Sequence, residues 1–282
     1  MEGVAVRDHN GIRVVRLHYT ADPDKRSEEW ARSAREGMSA RQWRQEYEID
    51  WHVAGGQPVY AEEFRREWHV AGEELLADSK LALWRGWDIG PTHNHPACVV
   101  CQVDDARRLM VLDEICAWRG RGAPRVREVG PFTEDVIYFC EENYSGASWI
   151  DYADPAGWTK SMTDGRSAIM VLNERGVHPR PGVVTFTERK EAMIKGLVTA
   201  KGGMPCILVS PTCRMVIEGF EGAYMYEELG TTGRFKPTVE KNAWSHAMDG
   251  LEYVAAAVFG VAPERGERVR VKRGKPERWT GY

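Results

Sequence analysis

Four residues in three short stretches have the types and positions to do chemistry. Asp88 closes LALWRGWDIG, an apolar run that reads as a buried strand. Asp154 stands at the exit of a second such run, in WIDYADPAG, and His246 and Asp249 lie three apart in WSHAMDGLEY. A charge at the end of a core strand is expensive to desolvate unless something pairs with it. Carboxylates held close together cannot all stay ionised without a counter-charge. Magnesium or manganese supplies one, because hard cations prefer oxygen ligands. Two such ions about 4 Å apart can activate a water and stabilise the leaving oxygen of a phosphodiester. On this reading Asp88, Asp154 and Asp249 are the metal ligands, for two ions. Each also has a structural reading: Asp88 caps a turn before Gly90, Asp154 turns with Pro155, and Asp249 favours a helix N-terminus.

Asp151 competes with Asp154 for the ligand role. Residues three apart on a strand face opposite ways, and Asp154, followed by Pro155-Ala156-Gly157, sits where the strand opens into a cleft. Asp154 is therefore the expected ligand. His246 shares a helical face with Asp249 and could ligate, shuttle a proton or orient a neighbour, or be a structural histidine. Asp113 and Glu114, in VLDEI, read as edge or supporting positions.

Positioning these groups takes a sheet and a closing helix. LALWRGWDI, PACVVCQVD and RLMVLDEICAW read as three strands with short connections, an antiparallel meander. PFTEDVIYFCEENY has helical spacing, SWIDYAD is a fourth strand, and KSMTDGRSAIMVLNERG is a helix stopping at Gly176. VVTF, TERKEAMIKGLVTAKGG and CILVSP repeat strand, helix, strand; TCRMVIEGFEGAYMYEEL reads as helix and NAWSHAMDGLEYVAAAVFG as the last one. A meander followed by alternating helix and strand is a mixed α/β sheet. Strands one and four should then lie side by side at its centre, with the last helix across them. The first 80 residues differ: a short strand in VRLHYTADPDK, charged helical stretches interrupted near Gly37, and a break at AGGQPVY before YAEEFRREWHV.

The bulk numbers exclude little. With 282 residues and a net charge of -4, the chain can hold one large domain and does not announce a nucleic-acid partner through overall charge. The polar start MEGVAVRDHNG is no signal peptide, and no run approaches about eighteen apolar residues, which points to a cytosolic chain without a membrane partner. Cys98 and Cys101 have CxxC spacing, but within a strand they face opposite ways and no second pair follows, so reduced core thiols are expected. The eleven tryptophans are scattered and read as packing.

The order GWDIG, YADPAG, SHAMDGLEYVA resembles the nuclease domain of tailed-phage large terminase subunits, which has an RNase H-like (retroviral integrase-type) fold. ADPDK, a Trp-bearing helix and RQEYEIDWHVAGGQPVY resemble the segment that joins the terminase motor to its nuclease. The resemblance runs from about Val15 to Phe259. It implies an RNase H-like mixed sheet flanked by helices over residues 81–260, an N-terminal helical linker or remnant over 1–80, and a basic tail over 261–282. Asp88, Asp154 and Asp249 match the family's three acidic metal ligands, and His246 matches a histidine found in some members. The implied activity is metal-dependent cleavage of double-stranded concatemeric viral DNA during genome packaging, in the host cytoplasm and transiently at the procapsid. The implied partners are DNA, an ATPase motor, the small terminase subunit and the portal protein. One departure matters: no GxxxxGK[ST] occurs, and GWTKS at 157–161 lacks the glycine spacing, so ATP hydrolysis by that route is not expected of this chain. A junction resolvase or another nuclease of this fold would share the carboxylates. In a non-catalytic module docking a motor or portal they would be structural.

DNA must also be held. Between Glu264 and Arg278 there are seven Lys or Arg against three Glu, and such a stretch gains affinity by releasing counterions from phosphate. Arg268, Arg270, Lys272 and Arg273 carry that expectation, with Lys160, Arg166 and Arg180 as further candidates flanking the cleft. A solubilising end or a portal contact are the alternatives for the tail.

Overall fold

The computed structural model describes residues 3–9, 12–35, 43, 47–48, 56–89, 95–119, 127–161, 165–229 and 234–260. Three strands open the sheet: β3 (Leu83–Asp88), β4 (Ala97–Val103) and β5 (Leu109–Cys116). They pair antiparallel, as the three short apolar runs with polar turns require. β6 (Trp149–Ala153) lies parallel beside β3, with Trp87 opposite Ala153, and β7 (Arg180–Pro181) lies parallel beside β6. A small hairpin of β8 (Ala200–Lys201) and β9 (Met204–Pro205) leads into β10 (Ile207–Val209). β10 adds in parallel to β5, giving the order β10-β5-β4-β3-β6-β7. A meander followed by parallel strands stacked outward from its first member is an RNase H-like sheet. β3 and β6 lie side by side within it, as the element order predicts.

Helices cover both faces. On one, α3 (Val129–Asn143) and α4 (Ala168–Asn173) close over Trp87, Cys98, Val100 and Ala153. On the other, α5 (Phe186–Val198) and α7 (Ala243–Phe259) close over Val99, Cys101 and Val111. Cys98 and Cys101 thus enter different cores, and all six cysteines are free thiols. In α7, every residue but Trp244 and Ala257 is buried, so its apolar run reflects cover on all sides rather than one stripe.

The approach of α7 to the sheet depends on two glycines. A Cβ at Gly86 would meet the Gly250 carbonyl oxygen at 2.0 Å, and one at Gly250 would meet the Gly86 oxygen at 2.9 Å. Backbone therefore packs on backbone between β3 and α7, one residue from Asp249 and two from Asp88.

Several local expectations give way to the structure. VVTF is not a strand: Gly182 donates to the Ala153 carbonyl, and the chain then leaves the sheet. The Val183 and Val184 carbonyls accept from Arg189 instead of a neighbouring strand. The helix expected through TCRMVIEGFEGAYMYEEL is short, α6 (Arg214–Glu218), and is broken by the turn at Gly222, whose φ is 135°. β11 (Tyr226–Glu228) then pairs with β12 (Phe235–Val239). Among the described residues of KSMTDGRSAIMVLNERG, only α4 is helical, capped by Ser167 and stopped at Gly176 with φ 80°.

Upstream, β1 (Val4–His9) and β2 (Ile12–Leu17) form a hairpin, of which only the second strand is legible in the sequence. α1 (Glu28–Arg35) forms the described part of the charged helical stretch, and Gly37 lies outside the described residues. Tyr19, Trp30, Trp43 and Tyr47 stack as one aromatic cluster. Val59, Tyr60 and Phe64 enter the core under α7, ahead of α2 (Arg66–His69).

Candidate active site

Strand parity decides which carboxylates meet. On β3, Arg85 and Trp87 face α3, while Gly86 and Asp88 face α7. β6 carries the same alternation into Asp151 and Asp154. Asp151 is buried against Arg85, whose Nε and Nη2 donate to it at 2.7 and 3.0 Å, and Trp87 Nε1 adds a third bond at 2.7 Å. Its charge is satisfied on the face away from α7. Asp154, just beyond the strand end, caps the short turn Pro155–Trp158 by accepting from Ala156 N.

α7 delivers the other groups. Its first turn is fixed by a capping box between Asn242 and Ser245, which sets the phase of every residue behind it. His246 Nδ1 donates to Asp88 Oδ2 at 2.7 Å, so the expected pairing of strand end and helix is a direct hydrogen bond. Asp249 is 1 % exposed and Asp88 6 %. Asp249 Oδ1 accepts from the Tyr224 hydroxyl at 3.0 Å and from Arg189 Nη2 at 3.3 Å, and Oδ2 accepts from Lys241 Nζ. The Lys241 side chain remains 46 % exposed, so its ammonium reaches a buried carboxylate from the solvent side.

The electrostatics show that these groups share one field. Burial raises the Asp154 carboxyl above its ordinary value, and the charges of Asp88 and Asp249 raise it further, against hydrogen bonds that lower it. Burial opposes the charge of Lys241, but Asp249 and Asp88 outweigh it and hold the proton more tightly than on an ordinary lysine. Burial and then the charges of Asp88, Asp249 and Asp154 push the Tyr253 hydroxyl upward. Asp88 at the end of β3, Asp154 at the exit of β6 and Asp249 in the second turn of α7 therefore lie within electrostatic reach of one another.

The donor set suits a hard divalent cation: carboxylate oxygens in mutual repulsion, with a lysine ammonium drawn in as counter-charge. Among the described residues, no three His, Cys, Asp or Glu side chains close on a single point where an ion would sit. Each carboxylate instead has its own partner: His246 on Asp88, Ala156 N on Asp154 and Lys241 on Asp249.

The other candidates fall elsewhere. Asp113 accepts from the Tyr144 hydroxyl, and Glu114 accepts from Met215 N and Val216 N at the start of α6, so both are structural acceptors. Lys160 is exposed on the segment after Asp154; Arg166 pairs with Glu174; Arg180 is exposed on β7, opposite Tyr152. Arg268, Arg270, Lys272 and Arg273 lie outside the described residues.

Sequence reasoning missed Lys241, Tyr253, Tyr224 and Arg189. Tyr253 follows His246 and Asp249 at helical spacing and was open to the same periodicity argument. Lys241 immediately precedes the cap of α7. Arg189 and Tyr224 have no local signal, because only the fold brings them to Asp249.

No family profile matches the sequence, and the search of curated proteins returns no match. Solved structures are similar. The large terminase of a thermophilic bacteriophage superposes with a TM-score of 0.56 at 15% identity, over 86% of this chain and 54% of that one. The large terminase nuclease domain of bacteriophage SPP1, solved with bound Mn, gives a TM-score of 0.42 at 16% identity, over 67% of this chain and 94% of that one. The large terminase nuclease of thermophilic phage G20c gives 0.45 at 10% identity, over 72% and 99%. The chain thus spans about half the length of the first of these proteins. At these identities the likeness is one of architecture: this is a mixed α/β chain with an RNase H-like fold, the fold it shares with that first large terminase.

Proposed function

We propose that the chain is a metal-dependent endodeoxyribonuclease that cuts double-stranded DNA, serving as the nuclease part of a phage genome-packaging terminase. What supports this reading is that Asp88 and Asp249, from the end of β3 and from α7, raise the proton affinity of Asp154 at the exit of β6, so that the three carboxylates act on one another. The fold shared with a large terminase of a thermophilic phage supports the packaging role.

Magnesium or manganese held by these three carboxylates would supply the counter-charge and the activated water that phosphodiester hydrolysis needs. The chain's own groups do the rest. His246 holds Asp88 through Nδ1 and fixes the direction of its free oxygen. Ala156 N does the same for Asp154. Lys241, half exposed on Asp249, is placed to move from the carboxylate to a phosphate oxygen when DNA arrives, bringing positive charge to where negative charge accumulates. DNA is gripped by the tail residues Arg268, Arg270, Lys272 and Arg273, with Lys160 and Arg180 on exposed segments beside the cleft. The motor, small subunit and portal are the partners this role requires.

The test is plasmid cleavage. With magnesium or manganese, and not with chelator, the chain nicks and linearises supercoiled plasmid. Asp88→Asn, Asp154→Asn and Asp249→Asn each lower the rate by roughly a hundred-fold or more while melting stays cooperative. Intact plasmid together with no divalent-ion binding would leave a docking module instead. Strong preference for a four-way junction over linear duplex would move the chain to the resolvases.

A further inference from the structure

Asp249 is held by more than its neighbours on α7. Arg189 enters from α5 and is almost wholly buried. Its Nη1 donates to the Val183 and Val184 carbonyls, its Nε to Glu252 Oε2 at 2.9 Å, and its Nη2 to Asp249 Oδ1 at 3.3 Å. Two phenols complete the arrangement. Tyr224 donates to Asp249 Oδ1, and Tyr60, from the segment ahead of the sheet, donates to Glu252 Oε1 at 2.6 Å. The two rings stack with centroids 5.9 Å apart, and Val59 N is bonded to the Tyr224 carbonyl. One oxygen of Asp249 thus accepts from two groups buried behind it. The other faces Lys241 and the solvent side.

We infer that Arg189, Tyr224, Glu252 and Tyr60 are a positioning unit that locks Asp249 Oδ1 inward and presents only Oδ2 to a cation. The inference rests on the metal-nuclease reading above and adds which residues, none of them touching the cation, set its affinity. A carboxylate free to rotate loses orientation on every excursion. A carboxylate pinned by a buried guanidinium and a phenol does not, and losing outer partners of this kind typically weakens metal binding by roughly ten- to a hundred-fold. The unit also ties the segment at residues 57–60 to the site, because Tyr60 reaches Asp249 through Glu252 and Arg189 and, by ring stacking, through Tyr224.

The experiment is direct manganese binding without DNA, read by the loss of the free-ion paramagnetic resonance signal, alongside plasmid cleavage as a function of manganese concentration. Removing a buried guanidinium can cost the fold, so Tyr224→Phe, which deletes one hydroxyl, carries the test; Arg189→Lys and Tyr60→Phe extend it. Tyr144→Phe, which removes a phenol from Asp113 at the other face, is the control. The expected result is weaker manganese binding by roughly ten-fold or more in Tyr224→Phe and Arg189→Lys, and a smaller loss in Tyr60→Phe. Half-maximal cleavage moves to higher manganese, the rate at saturating metal recovers toward that of the parent, and Tyr144→Phe stays unchanged. If the parent binds manganese and the folded Tyr224→Phe binds it equally well, the positioning unit is overturned while the nuclease reading stands. If the parent binds none, both fall.

Discussion

Asp151 and Asp154 are close in sequence and opposite in consequence. Asp151 accepts three hydrogen bonds and neutralises the buried guanidinium of Arg85, which also lies over the Trp149 ring at 4.3 Å. Removing one partner of such a pair strands the other charge. Asp151→Asn is therefore expected to cost on the order of 3 kcal/mol in denaturant unfolding, with cleavage per folded molecule largely kept. Glu252 makes a different case. Burial, and after it the charge of Asp249, push its carboxyl from 4.5 up to about 7, offset in part by Arg189 and Tyr60. A carboxyl whose folded value exceeds its unfolded one contributes stability that is complete below the unfolded value and fades as pH climbs through the folded one. Glu252→Gln mimics the protonated form. Relative to the parent, its melting temperature should rise by a few degrees between about pH 5 and about pH 8. A gap that stays flat across that range would mean that Glu252 does not titrate there.

At the scale of elements, the spacing between Asp88 and Asp249 is set by main chain. Gly86 and Gly250 let β3 and α7 touch where a single methyl would collide with a carbonyl. Gly250→Ala adds that methyl at 2.9 Å from the Gly86 oxygen. A loss of about 1–3 kcal/mol is expected, together with a drop in cleavage larger than the unfolded fraction explains, because α7 carries Asp249 with it as it shifts. Comparing denaturation with rate per folded molecule separates the two effects. The alternation of WIDYAD, which puts Asp151 on Arg85, and the i, i+3 spacing of His246 and Asp249 on one helix are legible in the sequence, since both depend only on local geometry. VVTF reads as a strand by the same local rule and fails, because the buried Arg189 guanidinium of the following helix takes the Val183 and Val184 carbonyls. The helix through Gly222 fails too, its backbone forced to φ 135° in a turn no periodicity reveals. Arg189 and Tyr224 were invisible for the same reason: their partner is 60 and 25 positions away.

For the whole molecule, a net charge of -4 must be reconciled with the polyanionic substrate we propose. The basic stretch from Arg265 to Arg278 concentrates positive charge in a chain that is acidic overall. Deleting it should weaken duplex binding and flatten the dependence of affinity on salt by roughly one unit of logarithmic slope per lost phosphate contact. Cleavage at saturating DNA should change little. An unchanged slope, measured by fluorescence anisotropy across salt concentrations, would assign the stretch to a protein partner. The burial of α7 on nearly all sides carries a different kind of consequence. A helix covered in this way should exchange its central amides with solvent only through openings that also disturb the sheet beneath it. Asp249 and His246 should then keep their places until the sheet unfolds: along a denaturation curve, any cleavage lost ahead of the fold would have to begin at Asp88, at the turn of Asp154 or in the loops around the helix.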